Sequence, residues 1–115
     1  MNVVISLETE FKKRFKQLAK KYHSLANDLL ELKNSLLEDP FQGVDLGGGV
    51  RKVRMSIGAK GKGKSGGARV LTLTVLIAGD ADLTLLTIYD KSEIENVSDN
   101  YIEWLLEQHK KNKNI

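Results

Sequence analysis

The sequence predicts an α+β domain: a small, mostly antiparallel sheet packed with an N-terminal helical hairpin and a C-terminal helix. Three observations lead there. Apolar residues recur at helical spacing up to Pro40 and alternate in strand fashion after it. Two β-rich runs, 69–78 (RVLTLTVLIA) and 83–89 (LTLLTIY), flank Gly79–Asp80–Ala81–Asp82, which reads as a hairpin connection. A helical stripe returns after Ser98. The length, 115 residues, suits a single domain over 1–115.

Taken in order, Val3, Ile5 and Leu7 alternate with Asn2, Val4 and Ser6, predicting a short first strand with one buried face. From Thr9, a good N-cap residue, Phe11, Phe15, Leu18, Ala19 and Tyr22 fall on one helical face. Lys12, Lys13, Lys16 and Lys20 fall on the other. A second helix over about 24–38 carries the stripe Leu25, Leu29, Leu32 and Leu36, and Pro40 stops it. The turn Tyr22–His23–Ser24 makes the two an αα-hairpin. Residues 40–49 read as a loop ending in three successive glycines. Val53, Met55 and Ile57 then share one face of a strand, with Lys52, Arg54 and Ser56 on the other. Residues 58–67 hold five glycines, three lysines and no large apolar residue, so a mobile connection is expected, poorly ordered without a partner. The two long β runs are apolar on both faces, which places them centrally under helices. Ser98 caps the last helix, whose apolar face is Tyr101, Ile102, Leu105 and Leu106, and fraying is expected after His109. The order is β-α-α-β-β-β-α.

Composition removes several function classes. There is no cysteine, which excludes disulfides, thiolate metal sites and thiol catalysis. The N-terminus has no basic segment followed by an apolar run, and no stretch approaches a membrane span. A soluble, cytoplasmic protein with no membrane partner is expected. His23 and His109 lack metal-ligand spacing and are expected to face solvent, so no metal site is predicted. Glu8, Glu10, Glu93, Glu95 and Asp99 sit where helices begin, which explains them without acid–base work.

The charge is concentrated. Residues 50–70 (VRKVRMSIGAKGKGKSGGARV) carry Arg51, Lys52, Arg54, Lys60, Lys62, Lys64 and Arg69 and no acid. No Asp or Glu occurs between Asp45 and Asp80. The rest of the chain is net acidic, although the whole is +3. A local basic patch without acids marks a polyanion partner. Gly58 to Ser65 matches the nucleotide P-loop pattern in letters, but a strand-like run follows where the mechanism needs a helix N-terminus. No nucleotide cofactor, and no other cofactor, is predicted. Lys52 and Arg54 share a strand face, and Arg69 begins the next strand; if the strands pair, the three converge. Converging cations serve equally as a phosphate clamp or as stabilisers of a phosphoryl transition state, and spacing alone leaves both open.

The segments RKVR (51–54), GKGKSGGARV (61–70) and LTIYDKSE (86–93), with the helical hairpin before them, resemble the RelE/HigB branch of bacterial toxin–antitoxin proteins. The resemblance covers roughly residues 41–106. It departs from the family pattern at Leu71–Thr72–Leu73, at Ser92 and near Val97–Ser98. It implies a RelE-like fold and a ribosome-dependent mRNA endonuclease that works without a metal and is held inactive by a cognate antitoxin. It implies catalytic positions at Lys52, Arg54 and Arg69, joined by Lys91, and RNA-binding positions at Arg51, Lys60, Lys62, Lys64 and Tyr89. Two rival readings are a non-catalytic nucleic-acid or ribosome-binding module and a ParE-like gyrase-inhibiting toxin of the same fold.

Overall fold

The alternating and helical runs assemble in a computed structural model that describes residues 1–61 and 63–113. The order is β1 (Val3–Leu7), α1 (Thr9–Ala19), α2 (Leu25–Glu38), β2 (Val44–Gly47), β3 (Val50–Met55), a 3-10 turn (Gly58–Lys60), β4 (Ala68–Ile77), β5 (Asp80–Asp90) and α3 (Asp99–Asn112). The strands form one sheet in the order β1-β5-β4-β3-β2. β1 runs parallel to β5, and the other neighbours are antiparallel. The expected α+β arrangement of hairpin, sheet and last helix is present. Among the described residues no helix is long and apolar enough to cross a membrane.

Apolar residues on both faces of β4 and β5 are there because the sheet is covered twice. On one face Phe11 and Leu18 of α1 and Leu25, Leu29, Leu32 and Leu36 of α2 pack on Val53, Met55, Val70, Leu83, Leu85 and Ile88. On the other, Leu105 of α3, with Val97, Tyr101, Ile102 and Leu106, packs on Val50, Leu71, Leu73, Leu86 and Tyr89. Each fully buried aliphatic or aromatic side chain contributes about 1.5–3 kcal/mol. A bulge sets the phase of β5: Leu71 pairs with Thr87 but Thr72 pairs with Leu85. The extra residue lets Leu86 and Tyr89, three apart in sequence, face α3 together.

Several expectations are corrected. Residues 40–49 are not all loop, because Val44–Gly47 forms β2, an exposed edge strand against β3. Four residues with two polar or glycine positions carry too little alternation to be seen in sequence. The turn into β3 uses Gly48 and Gly49, both at positive φ. The β4–β5 connection is two residues, Ala78 and Gly79, since Ile77 pairs with Asp80. Asp80 to Asp82 continue β5, and Ala81 and Asp82 pair with β1. α1 begins at Thr9 with Glu8 in the cap position, and it ends at Ala19, so Tyr22 lies beyond it.

The end of α3 is held rather than frayed. The Glu8 carboxylate accepts a hydrogen bond from the Asn112 side chain and lies 2.7 Å from His109 Nδ1. His109 is thus mostly covered, contrary to the solvent-facing expectation, with 12% of its side chain exposed. About two turns back along α3, Tyr101 donates to Glu10 at 2.6 Å, and Glu10 also pairs with Arg14 at 3.1 Å. The two acids therefore bind α1 to α3 as well as opening a helix.

Ala78 is the non-glycine residue at positive φ (52°) among those described. That region costs an L-residue about 1–2 kcal/mol. Asn tolerates it, and Asn-Gly is the favoured two-residue hairpin turn. Ala78→Asn is expected to raise the melting temperature by a few degrees, and Ala78→Val to lower it. Thermal melts of the two variants check this; an Asn variant that melts lower than the parent contradicts the turn geometry.

Candidate nucleic-acid interface

The pleat of β3 sorts its basic residues onto two faces. Lys52 and Arg54 follow Val50 on the face toward α3. Arg51 follows the pattern of Val53 and Met55 toward the helical hairpin, and its guanidinium carbon sits 5.2 Å from the Phe41 ring centre. That cation–π contact sets Arg51 apart from its two neighbours.

The antiparallel register then aligns cations across strands. Arg54 is directly opposite Arg69, and Arg69 is opposite Tyr89, so the three form a row across β3, β4 and β5. Lys52, Leu71 and Thr87 form the next row. Directly opposed residues share a face with Cβ atoms about 4.5–5.5 Å apart, where like charges destabilise the sheet. Lys52, Arg54 and Arg69 thus come together on one face. None of them pairs with a carboxylate among the described residues. The polar contact of Lys52 Nζ is Asn96 Oδ1 at 3.4 Å.

Arg69 differs from the open fork that a strand-start position suggests. It is 5% exposed. Nη1 donates to the carbonyls of Lys64 and Ala68, each at 3.0 Å, and Nη2 donates to Ser65 O at 3.1 Å. Nε and one Nη2 hydrogen remain without a partner among the described residues. Burial first, and Arg54 second, lower the Arg69 pKa. Burial raises the Tyr89 phenol, and the nearby Arg69 charge partly opposes it. The result is a guanidinium held by neutral carbonyls beside a second cation, an arrangement that an anion would relieve.

The glycine-rich connection, expected to be mobile, is anchored at its start. Asp28 accepts from Gly58 N at 3.1 and 3.2 Å, and Ser24 Oγ accepts from Ala59 N at 2.8 Å. Lys60 turns inward, and its Nζ lies 2.8 Å from Asp90 Oδ1. Lys64 is exposed and borders, with Arg54, a cavity of about 170 Å³ whose far wall is α2. Lys91 is exposed, and its N–H donates to Gly67 O, which ties it to the end of the connection. A Cβ on Gly67 would collide with the Met55 carbonyl oxygen, so glycine is required there. Lys62 lies outside the described residues. β4 begins at Ala68, and no helix follows Lys64, so the P-loop letters have no P-loop structure.

Asp90 is the residue that sequence reasoning missed. It is buried at the end of β5 and receives Lys60, Tyr22 Oη at 2.6 Å, and both N and Oγ of Ser92. The signal available was an acid closing an otherwise apolar strand run. Burial alone would raise its carboxyl; the bonds from Lys60, Tyr22 and Ser92 outweigh that and hold it well below the usual carboxylate range. A depressed folded-state pKa means stability that is present above the unfolded value of about 4 and lost as pH falls below it. Asp90→Asn is expected to cost about 1.5–3 kcal/mol at pH 7, with the deficit shrinking at pH 3. Urea unfolding at both pH values measures this; equal deficits would show that the carboxylate charge contributes nothing.

A family model described as the RelE toxin of the RelE/RelB toxin–antitoxin system matches residues 11–115. No curated protein matches the sequence. The family match runs from α1 through the cationic sheet face to the end of α3, and on that extent the chain belongs to the RelE toxin family.

Proposed function

We propose that this toxin is a metal-independent endoribonuclease that cuts mRNA on the ribosome in the cytoplasm, with the scissile phosphate held on the cationic row of the sheet. One observation carries the reading: Arg54 and Arg69 oppose each other across β3 and β4 with no carboxylate between them among the described residues. A structural ion-pair network would mix signs. Two guanidiniums without a counter-ion suit a group whose charge grows during reaction.

In the proposed step the ribose 2′-oxygen attacks the adjacent phosphorus. A new 2′-O–P bond forms and the P–O5′ bond breaks, leaving a 2′,3′-cyclic phosphate and a 5′-hydroxyl. Lys52, one strand period from Arg54, takes the 2′-hydroxyl proton. Arg54 and the free Nε and Nη2 hydrogens of Arg69 hold the non-bridging oxygens. Lys91, as the acid, gives its ammonium proton to the departing 5′-oxygen, and exchange with solvent then restores Lys52 and Lys91. Lys64 and the Tyr89 side of the row steady the strand. Lys60 is spent on Asp90, and Arg51 faces Phe41, so neither is assigned to this phosphate. The family implies the antitoxin as the restraining partner.

A second reading is a non-catalytic RNA- or ribosome-binding toxin. The observation favouring it is that three of the Arg69 donor hydrogens already meet carbonyls. Single-turnover cleavage of mRNA on programmed ribosomes separates the two. Arg69→Lys keeps the charge but loses the planar fork, and a rate loss of about a hundredfold to a thousandfold is expected. Lys52→Ala should be as severe and should alter the pH profile, as loss of a base does. Binding without cleavage by the unmodified protein would decide for the second reading.

Salt dependence tests the contact assignment. Removing one phosphate contact to a single strand should flatten the slope of log K against log salt by about 0.7. That is expected for Lys64→Ala and Lys91→Ala. Lys60→Ala should lower the melting temperature and leave the slope in place. A slope change at Lys60 with none at Lys64 would reverse the assignment.

A further inference from the structure

A cleft of about 450 Å³ lies beside the cationic rows, between α1, the end of β5 and the segment leading into α3. That volume is in the range of small-ligand pockets. Both rows end at its wall. Thr87 closes the row of Lys52 and Leu71, Tyr89 closes the row of Arg54 and Arg69, and both line the cleft. Arg69 on β4 is one strand spacing, about 4.8 Å, from the β5 wall. Asn96 joins rows and cleft at the surface. It is exposed, it lines the cleft, and its Oδ1 lies 3.4 Å from Lys52 Nζ.

Charge divides sharply between the two places. The charged residues lining the cleft are each paired: Arg14 with Glu10, Lys21 with Glu93, and Asp90 with Lys60. On the rows, Lys52, Arg54 and Arg69 meet no carboxylate among the described residues. The rows therefore suit an anion and the cleft a neutral group. Leu18, Ile88 and Val97 give the cleft apolar surface, and Ile94 stands 42% exposed beside them. The hydroxyls of Thr87 and Ser98 are spent on Tyr101. That leaves the side-chain amides of Gln17 and Asn96 to recognise a ligand. A nucleotide divides in the same way. Its phosphate is charged, while its base is neutral, flat and hydrogen-bonding along its edges.

We propose that this cleft is a nucleobase subsite: it takes the base of the nucleotide whose ribose meets Lys52, with Gln17 and Asn96 reading the base edge. Ile94 and Val97 cover the face of the base. In the cleavage step this nucleotide carries the attacking 2′-oxygen, so it lies on the 5′ side of the cut. The subsite deepens the mRNA reading and rests on RNA being the ligand, not on the RNA being cut. Gln17 becomes a specificity residue on α1, outside the strands that hold the phosphate.

The test measures affinity of the full chain for ribosomes programmed with mRNA that carries 2′-deoxyribose across the ribosome-held codons and so cannot be cut. Abasic sites are placed one at a time. Affinity is expected to fall about tenfold at one position, with the salt slope kept because every phosphate remains. Gln17→Trp fills the cleft from an exposed helix position. It should melt as the parent does and bind base-bearing and abasic mRNA alike. Gln17→Leu keeps the bulk and loses the amide; it should narrow the spread of affinities among the four bases at that position about threefold or more. Affinity indifferent to every abasic site would overturn the proposal. So would a folded Gln17→Trp chain that keeps the tenfold loss; if that chain also lost the antitoxin, the cleft would belong to a protein segment. Should Gln17→Trp fail to fold, an unchanged spread in Gln17→Leu overturns the proposal alone. Cleavage is followed separately on all-ribose mRNA, where the sensitive nucleotide should lie on the 5′ side of the cut, and any other place for it contradicts the assignment. No cleavage with the base effect intact defeats the nuclease reading and leaves the subsite; no binding to programmed ribosomes defeats both.

Discussion

The structure depends on β5 being buried from both sides. β5 lies between β1 and β4, beneath α1 on one face and α3 on the other. Its bulge turns Leu86 and Tyr89 onto the α3 face while Leu85 and Ile88 stay under α1. Remove that double cover and neither core closes, because the helical hairpin and α3 never meet through a shared apolar layer. Their direct link is polar, through Glu8 with His109 and Glu10 with Tyr101. Those bonds are short and largely covered, so they fix where the helices lie without supplying the driving force.

From β5 the constraint passes to the cationic face. Asp90 ends the strand as a buried carboxylate and draws in Lys60, which pins the start of the glycine-rich connection. The far end of that connection returns against β3 at Gly67 and presents the Lys64 and Ser65 carbonyls to Arg69. The Arg69 guanidinium is therefore positioned at second hand by an acid it does not touch. A carboxylate on Arg69 itself would have given more stability and would have cancelled the charge. Carbonyls orient the group and leave it positive.

Much of this was legible in the sequence, for reasons tied to particular residues. The leucine stripe of α2, the two-faced β4 and β5 and the Ser98 cap are strong local signals, and they formed as read; Ser98 Oγ accepts from Tyr101 N. The grouping of Lys52, Arg54 and Arg69 was legible too, because strand parity plus one assumed pairing was enough. What escaped were relations between distant parts. Nothing local marks Asp90 as the partner of Lys60, or Glu8 as the partner of His109 more than a hundred residues away. β2 escaped because it is four exposed residues, too few for the alternation of Val44 and Leu46 to register. Lys60 was read as a phosphate contact because it shares a segment with Lys64, yet fold partners decide where each lysine points.

The row of Arg54 and Arg69 is best understood as a local conflict that the rest of the molecule tolerates. Opposed like charges weaken a strand pair, and a buried guanidinium without a counter-ion weakens it further. Both penalties fall at strand ends, on the next-to-last residue of β3 and the second of β4, where the glycine-rich connection joins them. The middle of the β4–β5 pair carries the cores. A fold that keeps its conflict at strand ends and its burial mid-strand can hold an unneutralised charge pair ready without unfolding. Binding an anion there would stabilise the very strands the bare cations loosen, so ligand affinity and fold stability are coupled through the same two arginines.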